Sequence, residues 1–385
     1  MLTSRRPDTT RVYDFKTYWR VHSGNYTTLP EYFKSKGYFT MSVGKVFHPG
    51  IASNHTDDYP YSWSIPPYHP ASLHFEKQKM CKGDDGQLHA NLLCAVNVTE
   101  QPGGTLPDLE STEEAISLLK GRVQNTQPFF LAVGFHKPHI PFRIPQEYLS
   151  LYPIEKMTLA PDPIVPELLP PVAYNPWTDV RKRDDVKQLN ISFPYGPVPK
   201  DFQLGIRQHY FAAVSYMDAQ VGRLLGALDQ LNMSKDTLVV FTSDHDGRES
   251  QNVVELVDVF PTLTSLVGFE ELDPCGELSF KESLCTEGVD LAHHIQNEAV
   301  ELDREHVAFS QYPRPADSPQ PNTSDIHAGE LYMVEDDPGE DHNVYQLISD
   351  KMVAKLANLT TASLQLQMRQ QLLYITAGMK TRGTA

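Results

Sequence analysis

An α/β fold with a mostly parallel central sheet, flanked by helices, is predicted by three successive stretches of the sequence. Phe129–Gly134 is a continuous apolar run, as expected of a strand buried on both faces. A long helical stripe follows between Tyr210 and Leu228, and Asp236–Thr242 is a second apolar run of strand length. Strand, helix and strand in this order are typical of parallel sheets, in which ligands bind beyond the carboxyl ends of the strands.

Local signals predict the elements that come before this core. Thr28 is a helix cap, and the helix that it opens is followed by a strand at Phe39–Val43. Residues 49–82 are rich in proline, tyrosine and serine and predict a long surface loop. Ser111–Glu114 is a capping-box sequence, which predicts a helix that begins there and ends near Val123.

The later helices carry recognisable apolar patterns. One face of the long helix is expected to be core. Its members are Tyr210, Val214, Met217, Val221, Leu224 and Leu228. Val253–Gly268 predicts an apolar helix interrupted by Pro261, because proline breaks the helical hydrogen-bond pattern. Residues 152–200 are dense in proline and predict an irregular insertion that wraps the core.

The sequence changes character beyond about Gln296. Polar loops predominate there, with a strand-like piece at Leu331–Val334 and a helix near Lys351–Leu373. This change predicts a main domain over residues 1–296 and a smaller α+β C-terminal subdomain over residues 297–385.

Composition and charge argue against two classes of protein. The 385 residues are 40% hydrophobic and 21% charged, as in ordinary soluble globular domains. The formal net charge of -16 argues against nucleic acid as a partner. No apolar run approaches the roughly 18 residues that span a bilayer, so no membrane span is predicted.

Sequons and cysteines indicate a protein of the secretory pathway. Seven Asn-x-Ser/Thr sequons predict a glycoprotein, and they lie at Asn25, Asn54, Asn97, Asn190, Asn232, Asn322 and Asn358. Four cysteines allow three connectivities, of which the two local pairs, Cys81 with Cys94 and Cys275 with Cys285, are the simplest. The first residues are polar and form no signal peptide, so the natural N-terminus is expected upstream of Met1.

Three polar clusters stand at the ends of predicted strands. They are Gly44–His48, His136–Pro141 and Ser243–Asp246. Lysine and histidine side chains that converge from separate strands suit a small, dense anion, because lysine is a point charge and histidine can protonate a leaving oxygen. The carboxylate of Asp244 beside them favours a hard divalent metal.

Each cluster alone also has a structural explanation. His136 and His139 could belong to a rigid proline loop whose imidazoles are simply hydrogen-bonded. Asp244 and its neighbour could cap a helix. A zinc site at His293–His294 is disfavoured, because adjacent histidines in a polar stretch are usually solvated.

Taken together, these segments resemble the active site of the sulfatase family, in the alkaline-phosphatase-like superfamily. Thr40–His48, Phe135–Phe142 and Phe241–His245 are similar to the active-site segments of that family. Six further segments resemble the members that act on 2-sulfated iduronate. They are Arg5–Arg11, Asp14–Phe15, Tyr18–His22, His89–Cys94, Pro171–Trp177 and Ser310–Pro315.

The resemblance implies a role for each polar residue. Asp244 ligates one calcium ion, and His245 lies in the same shell, near the metal or the nucleophile. Lys45 and His139 bind the sulfate group, with one of the two near the leaving oxygen, while His48 orients the nucleophile. His136 and Lys137 flank the loop and contact substrate.

The implied activity is sulfuric ester hydrolysis in the lysosome, which removes the 2-O-sulfate of iduronate from heparan sulfate and dermatan sulfate. Calcium and the cations stabilise charge on the transferring group.

The sequence departs from the family pattern at the nucleophile. Family members form a formylglycine from the cysteine of a Cys-x-Pro-Ser-Arg motif, and the 385 residues contain no such motif. The alignment also breaks after Asp246–Gly247 and around Pro319–Asn322. These departures predict an incomplete main domain and an incomplete subdomain, with little or no activity in this chain.

Two alternative functions remain open at this point. Another member of the superfamily, such as a phosphatase or phosphodiesterase, would need a Thr or Ser nucleophile and two metals with more ligands than the sequence offers. A non-catalytic glycoprotein that retains anion binding through Lys45 and His139 would need none of these.

Overall fold

The computed structural model describes residues 1–83, 85–160, 177–192, 196–243, 254–276 and 278–296. The strands are β1 (Phe39–Gly44), β2 (Cys81–Lys82), β3 (Leu88–His89), β4 (Leu93–Val96), β5 (Phe129–Gly134) and β6 (Phe142–Pro145). The helices are α1 (Pro7–Thr10), α2 (Trp19–His22), α3 (Leu29–Ser35), α4 (Pro107–Lys120), α5 (Thr178–Arg181), α6 (Asp184–Gln188), α7 (Lys200–Gln230), α8 (Val259–Leu266) and α9 (Ala292–Gln296).

Parallel strand pairing characterises the described part of the fold. β1 pairs with β5 in parallel, from Phe39 opposite Phe129 to Gly44 opposite Gly134. β4 pairs in parallel with β6, whereas β2 and β3 form a short antiparallel ladder. α3 and α4 pack against β1, and α7 packs against β4 and β6. The predicted α/β class with a mostly parallel sheet is therefore confirmed.

The segment that leads into β1 follows its sequence signals. Thr28 and Glu31 form a capping box, in which Thr28 Oγ1 accepts the Glu31 N–H at 3.2 Å and the Glu31 carboxylate accepts the Thr28 N–H at 3.3 Å. α3 then packs Phe33 against Phe130 of β5, with the ring centroids 4.9 Å apart. This contact joins α3 to the β1–β5 pair, and the predicted helix and strand are both confirmed.

α4 begins earlier than predicted. Its first residue is Pro107, at a helical position where the missing N–H has no partner to lose. Ser111 lies buried inside the helix, so the prediction of a capping box there is wrong. Asp108 lies in the first turn, where the helix dipole favours an acidic side chain. The helix ends at Lys120, slightly before the predicted end.

The buried face of α7 is also rotated from the predicted one. Of the predicted stripe only Leu228 is buried, and the other members are half-buried. The buried residues of α7 are Gly205, His209, Ala212, Ala213, Tyr216, Gln220, Ala227 and Leu228. Small residues on this face let the helix approach β4 closely, since a Cβ on Gly205 would come within 2.9 Å of Leu93 Cδ1. Glycine and alanine give only a weak hydrophobic signal. The stripe of large apolar residues therefore predicted a face of α7 that lies beside the true interface.

The proline-rich segment at 49–82 is packed, which corrects the prediction of a surface loop. Trp63 is fully buried, and its Nε1 donates to the Asp57 carbonyl at 2.7 Å. Tyr68 pairs with β1, because its N–H donates to the Ser42 carbonyl at 3.0 Å and its own carbonyl accepts the Gly44 N–H at 2.9 Å. Hydrogen bonds to β1 and a buried indole therefore hold this segment beside the strand.

A buried ion pair anchors the same segment to the N-terminal helices. Arg20 Nη2 is 2.7 Å from Asp58 Oδ2 and 2.7 Å from Glu31 Oε2. The Asp58 side chain is 0% exposed, and the Arg20 side chain is 5% exposed. The guanidinium also lies over the rings of Trp19 and Tyr61, at 4.3 Å and 4.5 Å.

The second predicted strand of the core, Asp236–Thr242, is not formed. Leu238, Val239, Val240 and Phe241 are between 46% and 70% exposed and lie outside every strand of the described residues. An apolar run becomes a buried strand only where neighbours satisfy its backbone hydrogen bonds. None of the described strands pairs with this run, so a sheet does not satisfy its backbone hydrogen bonds.

The last described elements form a second aromatic core and carry a disulfide. α8 begins after a 3-10 turn at Leu256–Asp258, with Pro261 in its first turn, so proline opens this helix instead of interrupting it. Phe260 is fully buried against Tyr32 of α3. Both predicted disulfides are confirmed, Cys81–Cys94 and Cys275–Cys285.

Several predictions concern residues outside the described ranges. They are the C-terminal subdomain at 297–385 with its strand and helix, the site residues Asp244 and His245, and the sequons at Asn322 and Asn358.

Within the described residues, Asn25, Asn54, Asn190 and Asn232 are exposed and Asn97 is half-buried, so these sequons lie at the surface. The described part of the predicted insertion at 152–200 contains the short helices α5 and α6. No described helix is long and apolar enough to cross a membrane.

Replacing Arg20 with methionine is expected to destabilise the protein by about 3–5 kcal/mol, because Asp58 would be left buried without its counter-charge. Thermal or urea unfolding measures this change. Lys182→Met is the matched control, since Lys182 and Asp179 form an exposed pair at 3.6 Å whose loss has little effect. Equal stability of the two variants would contradict the structural role of Arg20.

Candidate active site

The candidate site lies where β1 and β5 end side by side. Gly44 and Gly134 are the last pair of the register, and the Lys45 N–H donates to the Gly134 carbonyl at 2.9 Å. Gly44 has a φ of 74°, and a Cβ on either glycine would overlap with backbone atoms of the other strand end. Glycine at both positions lets the segments after β1 and β5 leave the sheet side by side. Lys45 is the first residue of the segment that follows β1.

Lys45 and His48 follow β1 and are both exposed. Phe47, between them, packs edge-on against the buried Trp63 at 6.1 Å, which fixes the segment. Burial lowers the pKa of His48, the charge of Lys45 lowers this pKa further, and Asp57 opposes both. The cation and the imidazole are therefore close enough to interact.

The loop after β5 is held by a buried carboxylate on α4. Asp108 is 1% exposed, and its Oδ1 accepts the His136 N–H at 2.8 Å while its Oδ2 accepts the Lys137 N–H at 3.0 Å. His136 Nδ1 lies 3.5 Å from Asp108 Oδ1, and this side chain is 11% exposed. His136 therefore faces α4, and its predicted contact with substrate stays a prediction.

Lys137 ties the same loop together from within. The residue is 4% exposed, and Nζ donates to the carbonyls of His139 and Pro141, each at 2.9 Å. The Glu76 carboxylate lies 3.5 Å from the same ammonium. Three oxygen atoms thus surround Nζ, and the substrate contact predicted for Lys137 also stays a prediction.

His139 is the exposed residue at the tip of this loop. Its Nδ1 is 2.5 Å from the Ile140 carbonyl, and because a carbonyl only accepts, Nδ1 carries the proton and Nε2 is left for a ligand. Burial lowers the pKa of His139, the hydrogen bond to Ile140 opposes this, and Lys45 and Lys137 lower the pKa further. Lys45 and His48 follow β1, and the loop that carries His139 follows β5, so these three predicted residues leave the sheet at the same edge.

The predicted metal ligands cannot be compared with this arrangement. Asp244 and His245 lie outside the described residues. Among the residues that the structure does describe, no group of three or more His, Cys, Asp or Glu side chains could hold a metal ion. Calcium therefore stays a prediction.

Sequence reasoning missed the carboxylates that build the site. Asp108 and Glu76 contact the loop of His139 but carry no motif of their own. The sequence Leu106-Pro107-Asp108 was the available signal, because proline followed by an acidic residue is typical of a first helical turn. That signal would have moved the start of α4 and pointed to Asp108.

Comparison with known proteins agrees with this arrangement. Residues 1–255 match the family model described as sulfatase. The chain is 49% identical to the iduronate 2-sulfatases of Mus musculus and Homo sapiens, over 89% of this chain and 81% of each relative. It is 26% identical to a sulfatase of Formosa agariphila, over 70% of this chain and 59% of that protein.

Solved structures support the fold. A protein in complex with its substrate D-glucosamine-2-N, 6-O-disulfate has a TM-score of 0.57 at 16% identity, covering 95% of this chain and 86% of its own. A phosphonate monoester hydrolase from Silicibacter pomeroyi has a TM-score of 0.58 at 14% identity, covering 97% of this chain and 86% of its own. Fold and site together define an α/β protein with a lysine and two histidines beyond the carboxyl ends of two parallel strands. The chain belongs to the sulfatase family of sulfate ester hydrolases.

Replacing Lys45 with methionine is expected to raise the pKa of both His48 and His139, because the nearby positive charge that disfavours each imidazolium is removed. At a given pH near these pKa values, more of each imidazole is then protonated. NMR titration of the histidine ring signals measures this, with Lys120→Met as the control. Unchanged values for both rings would show that Lys45 does not lie beside them.

Proposed function

We propose that this chain recognises the 2-O-sulfate of iduronate in heparan sulfate and dermatan sulfate, at the site formed by Lys45, His48 and His139. The observation that supports the proposal is the convergence of Lys45 and His139 from the ends of two adjacent strands. The similarity to two iduronate 2-sulfatases supports the substrate class.

Each side chain of the proposed site has a role that follows from its chemistry. The Lys45 ammonium neutralises charge on the sulfate oxygens, as preorganised cations do in transfer of a charged group. His139 Nε2 is the atom that faces a ligand, and it donates a proton to the leaving oxygen only when the ring is an imidazolium. Asp108 and Lys137 hold the loop that carries this ring.

An acidic compartment suits this site. Because the pKa of His139 is lowered, a lower pH is needed to populate its imidazolium form, and this imidazolium is a stronger proton donor than that of an ordinary histidine. The local disulfides and the surface sequons agree with a route through the secretory pathway. We therefore place the function in the lysosome. Calcium held through Asp244 and His245 would add positive charge at the sulfate oxygens.

The nucleophile is the part that this sequence does not supply. The sequence has four cysteines, and all four are paired in disulfides, so none is available for conversion to formylglycine. The sequence also contains no Cys-x-Pro-Ser-Arg motif. These 385 residues are accordingly proposed to bind the sulfated sugar and to hydrolyse it little or not at all.

Calorimetry with a disaccharide that contains 2-sulfated iduronate tests the proposed function. Binding is expected to tighten as the pH falls from about 7.5 to about 5, since the protonated fraction of His139 rises as the pH falls. Lys45→Ala is expected to weaken binding by roughly tenfold or more, because a charged hydrogen bond is lost. Lys120→Ala is the control and is expected to bind as the wild type does.

The same disaccharide serves in a turnover assay with this chain. Release of sulfate is expected to stay at background. Release above background that Lys45→Ala abolishes would contradict the absence of a nucleophile, whereas identical binding by wild type and Lys45→Ala would contradict the site itself.

A further inference from the structure

Phe15 is an exposed aromatic residue at the edge of the candidate site. Its side chain is 75% exposed, yet its ring centroid lies 4.9 Å from that of His48, at an interplanar angle of 42°. Single exposed apolar residues are common on protein surfaces and need no special explanation. Phe15 differs from such residues because it contacts His48. This contact joins the exposed surface of its ring to the residues that are proposed to bind the sulfate.

The backbone around Phe15 is held in place. Asp14 Oδ1 accepts the N–H groups of Lys16 and Thr17, each at 2.7 Å, and Asp14 Oδ2 accepts the Thr17 hydroxyl at 3.0 Å. The Lys16 N–H, with the Thr17 groups, lowers the pKa of Asp14, so the carboxylate stays ionised and the turn persists at acidic pH. One side of the Phe15 ring rests on His48 while most of its surface faces solvent.

The chemistry of an aromatic ring suits a sugar ring better than a sulfate group. A phenylalanine ring has no hydrogen-bonding atom, and its faces carry partial negative charge, which repels an anion. The same faces attract the polarised C–H groups of a pyranose ring through weak hydrogen bonds and close packing. An aromatic ring beside the sulfate-binding residues is therefore positioned for the sugar that carries the sulfate.

We propose that Phe15 is a specificity-determining residue whose exposed ring packs against the sugar ring of the substrate while Lys45 and His139 bind its sulfate. This proposal rests on the proposed function and adds the residue that distinguishes a sulfated sugar from free sulfate. A different role, in which Phe15 only covers His48 and supports the site around it, would change both ligands alike, because free sulfate and the sulfated sugar bind at the same site.

Calorimetry on the full chain with two separate ligands tests the proposal. The ligands are inorganic sulfate and a disaccharide that contains 2-sulfated iduronate. Phe15→Leu keeps an apolar side chain but removes the aromatic face, and it is expected to weaken disaccharide binding by about tenfold. Binding of inorganic sulfate is expected to stay unchanged. Phe15→Tyr, which keeps the ring, is expected to restore disaccharide binding.

Two controls separate this proposal from the proposed function. Phe280→Leu changes another exposed phenylalanine, whose ring contacts Lys281, and is expected to leave both affinities unchanged. Lys45→Ala is expected to weaken both ligands. Suppose that Lys45→Ala weakens binding of both ligands, while Phe15→Leu weakens binding of neither ligand or of both equally. The proposed role of Phe15 is then overturned, and the proposed sulfate site stands. If wild type binds neither ligand, both proposals are overturned.

Discussion

Two glycines bring the ends of β1 and β5 together, and the candidate site depends on that close approach. Neither Gly44 nor Gly134 has space for a Cβ, because the backbone of the opposite strand end occupies it. The chain therefore turns out of both strands at the same level of the sheet. Lys45 and the loop that carries His139 begin from these two turns, which is how residues far apart in sequence come to lie at one edge of the sheet.

Charge within the site is arranged differently from charge over the whole chain. The net charge is -16, yet the candidate site presents Lys45 and two imidazoles. Acidic residues beside the site have partners of their own: Asp108 accepts backbone N–H groups, Glu76 pairs with Lys137, and Asp57 pairs with His69. Because these carboxylates are paired with other groups, the local field at the site can favour an anion although the protein is acidic.

The sequence predicted the elements whose signals are local. Thr28 with Glu31 marked α3, and the apolar run at 129–134 marked β5, because a cap or a continuous hydrophobic strand needs no knowledge of distant residues. The buried face of α7 was misplaced because its contact with β4 is made by glycine and alanine, which lack a hydropathy signal. The run at 238–241 was misjudged because burial of a strand requires neighbouring strands.

The same distinction applies to the site. Lys45, His48 and His139 were predicted because their short segments resemble those of a known family, while the contacts of Asp108 and Phe15 are visible only in the fold. The resemblance to a family predicts which side chains carry the chemistry. The contacts in the folded chain show which other residues hold those side chains in place.

A crystal structure of this chain with inorganic sulfate tests the central claim most directly. The account predicts one sulfate ion bound between Lys45 Nζ and His139 Nε2, at the carboxyl ends of β1 and β5. A sulfate ion bound only elsewhere, with Lys45 and His139 directed away from each other, would contradict it.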